Sequence, residues 1–249
     1  MNAKSRRQFI LEQLDLHEKI EIEELAAQLE VSTMTIRRDL SLLEQKNELI
    51  RTPRGATRNH QIIYESSFRH KENKNIELKQ DIAKRAVSLI REHTTIILDS
   101  GTTTLEIAKL MTNHKNVTVI TNDIYIATIL INSEVKVILL GGELQNNVGA
   151  IFGSQTEQML RQLYVDTCFI GTHAIHPISG ITTTSFEKAG VKRAMIRAAK
   201  KTYIVADSSK LNERAMVKVC DLDEINGGMI TNDEMQQHQG FSEKIKIIK

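Results

Sequence analysis

The sequence predicts an α/β chain in two parts: a small tri-helical unit closed by a β-hairpin, then a larger and mostly parallel α/β unit. Three observations carry this. Residues 31–45 hold apolar positions at helical spacing beside a row of hydroxyls and arginines. Just after them, a short apolar strand enters a Pro/Gly turn that bears arginines. From residue 95 onward, short apolar runs alternate with helical patterns, which marks a parallel sheet with helices on both faces.

The first unit reads as follows. Phe9, Ile10, Leu14 and Leu16 place a helix over 4–17. Ile20-Glu21-Ile22 alternates like a short edge strand, and Glu24–Leu29 forms a second helix. Glu30-Val31-Ser32 is the tight turn, with Ser32 as N-cap of the third helix. Ile36, Leu40 and Leu43 then share one face, which leaves Thr33, Met34, Arg37, Arg38 and Ser41 around the other. A helix built this way buries one side and offers hydroxyls and guanidiniums to a DNA major groove. With Ser32 and Thr35, these are the candidate base- and backbone-contacting residues. The stretch Glu48–Arg58 reads as a β-wing, with Arg51, Arg54 and Arg58 set for phosphate contacts. The competing reading is a small helical protein–protein module.

Composition sets bounds on the rest. At 249 residues the chain accommodates two domains, and 41% apolar with 26% charged residues fits an ordinary folded protein. The net charge is only +2, so DNA binding has to rest on local basic clusters. Glu21, Glu23 and Glu24 are expected to face away from DNA. Cys168 and Cys220 both sit in apolar stretches and read as buried free thiols, not as a disulfide or metal pair. No apolar run approaches the ~18 residues of a membrane span, and Met1-Asn2-Ala3-Lys4 lacks the apolar core of a signal peptide. A cytoplasmic protein with no membrane partner and no cofactor is expected.

Residues 59–75 are polar and show no period, so they read as a linker between a 1–58 DNA-binding domain and a 76–249 sensing domain. Past a helix carrying Ile76, Ile82, Ala83, Ala86, Leu89 and Ile90, strands are expected at 95–98, 117–120, 135–140, 167–170 and 203–206. Helices are expected at 105–111, 124–131, 159–163 and 191–199. Ligands of open α/β sheets bind in loops at the carboxyl ends of strands. Four such loops stand out: Asp99-Ser100-Gly101-Thr102-Thr103-Thr104, Thr121-Asn122, Gly141-Gly142-Glu143, and Asp207-Ser208-Ser209-Lys210. The first has the hydroxyls and helix-start amides of a phosphate cradle. The same residues also make an ordinary N-cap cluster.

The segment Arg6–Arg58 resembles the DNA-binding domain of the DeoR family of bacterial sugar-metabolism regulators. The match lies in Glu24-Leu25-Ala26, Val31-Ser32, Thr35-Ile36-Arg37-Arg38-Asp39-Leu40, Leu43-Glu44, and Arg51 before Arg54-Gly55-Ala56. Two positions depart from the family pattern. The wing tip reads Pro53-Arg54-Gly55-Ala56 where the family has His-Gly-Gly-Ala, and Asn47 stands where the family has a Gly after the recognition helix. Asn is the next best residue for a left-handed helix end. The four loops also resemble the family's effector domain, whose fold is similar to ribose-5-phosphate isomerase. The resemblance implies that Ser100–Thr104 cradles a sugar phosphate, that Lys210 approaches it, and that Glu187 binds a sugar hydroxyl.

Two other chemistries fit the sequence less well. Isomerisation needs a carboxylate base beside the substrate, and the loop Gly171–Pro177 contains no Asp or Glu. A metal site from Cys168, His173 and His176 has a His-x-x-His spacing but lies in a Pro-containing loop, which argues against it. The expected function is a transcriptional repressor of a carbohydrate-utilisation operon, relieved by a phosphorylated sugar. A ligand-dependent activator is the alternative. Its partners are double-stranded operator DNA, the sugar phosphate, and further copies of itself as a dimer or tetramer.

Overall fold

The computed structural model describes residues 2–17, 19–45, 48–58, 68–232, 241 and 244–248. The chain forms two compact units, Met1–Gln61 and Ile62–Lys249.

The first unit contains α1 (Ala3–His17), β1 (Lys19–Glu21), α2 (Ile22–Gln28), α3 (Thr33–Gln45), β2 (Leu49–Thr52) and β3 (Gly55–Arg58). The strands form an antiparallel sheet of order β1-β3-β2. Ile10 and Leu14 of α1, Leu25 of α2, and Ile36, Leu40 and Leu43 of α3 make one core with Leu49 and Ala56 of the hairpin. Glu30 turns the chain at φ 52, and the Ser32 Oγ accepts the Thr35 amide at 3.2 Å, capping α3. Gly55 is required by close approach: a Cβ there would lie 1.8 Å from the Ile20 carbonyl oxygen, so any side chain would push β3 off β1. Asn47 lies outside the described residues, as do the side chains of Leu16 and Arg58.

Asp39 occupies the buried stripe of α3. Arg6 and Arg7 of α1 reach it, with Arg6 Nε 2.6 Å from Oδ2 and Arg7 Nη1 3.3 Å from Oδ1. This pair of contacts ties α1 to α3. Asp39→Ala leaves a largely covered guanidinium without its acceptor, at an expected cost of about 1–3 kcal/mol. Denaturant unfolding of the variant reads this; an unchanged midpoint would show that the tether does not stabilise the unit.

The second unit begins with α4 (Phe68–Glu72) and α5 (Ile76–Val87). Then come β4 (Thr95–Leu98), α6 (Thr102–Met111), β5 (Thr118–Thr121), α7 (Ile124–Leu130) and β6 (Lys136–Leu139). A hairpin of β7 (Glu143–Gln145) and β8 (Ala150–Phe152) precedes α8 (Ser154–Arg161) and β9 (Val165–Ile170). β10 (Ala174–His176), β11 (Gly180–Thr183), α9 (Phe186–Ala198) and β12 (Ala199–Val205) follow. The described chain ends with β13 (Val217–Cys220), β14 (Gly228–Ile230) and β15 (Ile247–Ile248). The main sheet has seven strands in the order β15-β14-β12-β9-β4-β5-β6, and every pairing in it is parallel. Alternate residues of β4 feed cores on opposite faces: Ile96 and Leu98 pack with α5 and α6, and Ile97 with the α8–α9 side. This is why the strand reads as an unbroken apolar run. A smaller antiparallel sheet, β10-β11-β13, covers a third cluster of apolar side chains. Cys168 and Cys220 are buried free thiols.

Two sequence expectations differ from this. The stretch read as linker contains α4, whose Phe68 is buried in the second unit's core and stacks on Tyr125 at 4.1 Å. Residues 59–67 of that stretch lie outside the described residues. The hairpin and the small sheet were not anticipated, because strands of three or four residues are too short to display a period of two.

Candidate functional site

Two surfaces carry chemistry, one on each unit. On the first, α3 exposes Thr33, Met34, Arg37 and Arg38, the expected groove-facing row. Thr35 is half-buried, its hydroxyl 3.0 Å from that of Ser32. Arg54 is exposed at the hairpin turn. Ser41 and Arg51 depart from expectation. The Ser41 hydroxyl donates to the Arg37 carbonyl at 2.9 Å and accepts from Arg51 Nη1 at 2.9 Å. The Arg51 amide donates to Glu44 Oε1 at 3.0 Å. Arg51 therefore braces the wing against α3, and its guanidinium is turned to the helix instead of outward. Sequence alone placed it among phosphate contacts because the hairpin register hides which face a strand residue takes.

On the second unit a cleft opens at the carboxyl ends of the parallel strands. The strand order reverses at β4: β5 and β6 lie on one side, β9 and β12 on the other. The crevice at such a switch point is where open α/β sheets bind ligands. It is lined by Ser100, Gly101, Thr102, Thr103 and Thr104 after β4, and by Gly171, Thr172 and His173 after β9. Ala206, Asp207, Ser209 and Lys210 line it after β12. The segment Lys71–Lys79 and Lys192 of α9 close it. The loop after β4 runs directly into α6, whose start lines the cleft and offers its first-turn amides as anion donors, while the Thr104 hydroxyl donates to the Gly101 carbonyl at 2.8 Å.

The cleft is crowded with lysines. Burial lowers Lys71 to about 8, helped by the charge of Lys192. Burial also lowers Lys79 to about 8, with Asp207 opposing and Lys210 assisting. Lys210 is lowered too, mainly by burial and against the pull of Asp207. His173 is pushed well below its ordinary value by burial and by Lys71, Lys192 and Lys210, which keeps it neutral. Its Nδ1 lies 3.1 Å from the Thr183 hydroxyl. Lys192 is buried against Asp99 in an ion pair and donates to the Gly171 carbonyl at 2.8 Å. Asn75 donates to Asp207 Oδ1 at 3.1 Å, which holds the start of α5 to the loop after β12. Buried ammonium groups at this density are stable beside an anion and costly without one.

The structure thus brings together Asp99–Thr104 and Lys210. It does not bring in the other expected residues. Thr121 and Asn122 are fully buried beneath the first loop. Asn122 Oδ1 accepts the Ser100 amide at 3.0 Å, while the Thr121 hydroxyl accepts the Asp123 amide. They shape the loop from behind. Gly141, Gly142 and Glu143 are exposed after β6, at the far side of the switch point, and the Gly141 carbonyl is occupied by the Thr156 hydroxyl at 2.7 Å. Glu187 is exposed in the first turn of α9, its carboxyl held low by the Ser185 hydroxyl, and it does not line the cleft. Lys71, Lys74, Asn75, Lys79, His173 and Lys192 also line the cleft and were not among the expected ligand residues, while Asp207 belongs to the expected fourth loop. The residues of the disfavoured metal reading have separate tasks: Cys168 lies in the core, and His176 Nδ1 accepts the Ile178 amide at 3.1 Å.

A helix-turn-helix unit with a wing, joined to a parallel-sheet domain with a cationic cleft, defines a DNA-binding regulator that carries its own sensor. Comparison with known proteins agrees. Residues 6–62 match the DeoR-like helix-turn-helix domain, and residues 74–233 match the DeoR C terminal sensor domain. The chain belongs to the DeoR family of transcriptional regulators. It is 34% identical to the uncharacterized HTH-type transcriptional regulator FruR of Bacillus subtilis, over 100% of both chains. It is 36% identical to a putative aga operon transcriptional repressor of Escherichia coli O157:H7, over 92% of this chain and 86% of the relative. It is 32% identical to the lactose phosphotransferase system repressor of Staphylococcus epidermidis, over 100% of both. Among solved structures, ribose 5-phosphate isomerase A of Methanocaldococcus jannaschii overlaps 55% of each chain at 18% identity and a TM-score of 0.42.

Proposed function

We propose that the protein represses a carbohydrate-utilisation operon and that a phosphorylated sugar, bound in the cleft, releases it from operator DNA. The observation that carries this is that Lys74, Lys79 and Lys210 line one cleft with the start of α6. Hydroxyls, helix amides and ammonium groups together match a phosphomonoester. Relatives named as repressors of the aga operon and of the lactose phosphotransferase system support repression as the sign of action. A homo-oligomer supplies the paired recognition helices that a two-fold operator needs. The Lys71–Lys79 segment is the first part of the second unit after the linker, so an anion that draws these lysines inward acts on the chain leading to the DNA-binding unit. Thermal-shift screening against sugar phosphates tests the reading, since a ligand of the native state raises its melting point.

The lysines also set a pH dependence. Near pH 8, Lys71 and Lys79 are each about half protonated without ligand. A bound phosphate dianion favours the ammonium form and raises both pKa values, so binding takes up protons. Affinity is expected to fall as pH rises through about 8. It also falls below about 6, where the phosphate loses its second charge. Calorimetry at pH 8 in buffers of different ionisation heat measures the uptake. Zero uptake with an affinity flat from about pH 7 to 9 would contradict the assignment.

A further inference from the structure

Behind the phosphate cleft lies a recess lined by Phe68, Val148, Phe152, Lys188, Asp99 and Lys192. It shares Lys71, Ser100, Gly101, Thr102, His173 and Lys192 with the cleft. Asp99 is 1% exposed and its two carboxylate oxygens differ. Oδ2 is fully engaged, accepting from Lys192 and from the Gly171 amide at 3.1 Å. Oδ1 is buried with no hydrogen-bond partner among the described residues. A buried carboxylate oxygen left without a donor is costly. Nothing about the fold requires it, because the ion pair and the loop geometry both use Oδ2.

We propose that Asp99 is the specificity-determining residue of the sensor, its Oδ1 accepting a hydroxyl of the effector's sugar end. This rests on the phosphate reading of the cleft. The unsatisfied Oδ1 fixes the ligand's direction. It needs a hydrogen-bond donor, and a phosphate dianion or carboxylate carries none, so although Lys71, Lys188 and Lys192 also line the recess, the phosphate lies outward against α6, Lys74, Lys79 and Lys210. The hydroxyl-bearing carbons lie inward, their C–H faces against Phe68 and Phe152. The recess holds about 30 Å³, enough for a small hydroxylated group. The ligand class is therefore a phosphomonoester with a neutral, hydroxylated far end, in preference to inorganic phosphate, alkyl phosphates or phosphorylated acids.

Calorimetry on the full-length protein with inorganic phosphate and three probes of equal carbon length tests this. Glycerol 3-phosphate ends in hydroxyls, propyl phosphate in a methyl, and 3-phosphoglycerate in a carboxylate. Glycerol 3-phosphate is expected to bind at least about tenfold more tightly than either of the others, the scale of a hydrogen bond to a charged group. In Asp99→Asn the ranking among the three probes should collapse, with 3-phosphoglycerate gaining most. If Asp99→Asn does not fold, the ranking on the unaltered protein decides. Equal affinity for glycerol 3-phosphate and propyl phosphate, or tighter binding of 3-phosphoglycerate, overturns the role of Asp99 and leaves the phosphate cleft standing. No binding of any of these, inorganic phosphate included, overturns the cleft reading itself.

Discussion

Thr103→Asp is expected to give a protein that folds, binds its operator and no longer answers to its effector. Thr103 lies half-buried in the first turn of α6 and lines the cleft. An aspartate there sets a carboxylate where the phosphate rests, and the helix start accommodates the new charge. The ligand is repelled on three counts: charge, occupied amides, and lysines that now have a resident anion. A ligand shifts an equilibrium only through differential contacts with its two states, so losing the site locks the protein in its unliganded behaviour. For a repressor that behaviour is permanent repression, while for an activator it is failure to activate. Lys210→Ala should weaken the response in the same direction. Reporter induction and operator binding, measured together, read both. A normal effector response in the two variants would return the Ser100–Thr104 loop to a plain helix cap.

The second large effect belongs to the recognition helix. Arg37 and Arg38 are both exposed and about 100° apart around α3. One is expected to reach a base edge and the other to lie nearer a phosphate. Alanine at the base-reading position is expected to cost about 1–3 kcal/mol of discrimination between operator and unrelated DNA. Arg54→Ala at the wing tip should instead weaken both kinds of DNA alike and reduce the salt slope by about one. Binding titrations at several salt concentrations separate the two. Unchanged specificity in both Arg37→Ala and Arg38→Ala would mean that α3 does not enter the groove.

Much of this architecture is legible in the sequence because burial leaves a periodic record. Ile36, Leu40 and Leu43 mark the inner face of α3, and the run Ile96-Ile97-Leu98 marks a strand covered on both sides. Loops without side-chain periodicity are harder. Asn122 and the Gly141–Glu143 stretch follow strands of the same sheet, but the lysine-lined cleft lies at the crevice between β4 and β9, and strand order is not written locally. The lysines left a signal that went unread. Lys79 shares a stripe with Ile82, Ala83 and Ala86, and Lys188 and Lys192 share one with Val191 and Met195. A lysine where the helix period calls for an apolar residue is a buried amine that needs a partner, which is Asp99 for Lys192 and the Lys71 carbonyl for Lys79. Asp39 is the same signal with its partners, Arg6 and Arg7, on α1.

The central claim is that occupancy of the cleft controls the grip on DNA. Fluorescence anisotropy of an operator duplex selected from random sequence, titrated with the full-length protein with and without each sugar phosphate of a panel, measures this coupling. The expected result is that at least one neutral-ended sugar phosphate lowers operator affinity by about 5- to 150-fold, while the same compound leaves Thr103→Asp unaffected. Operator affinity that is the same with and without every sugar phosphate that binds the protein would contradict it.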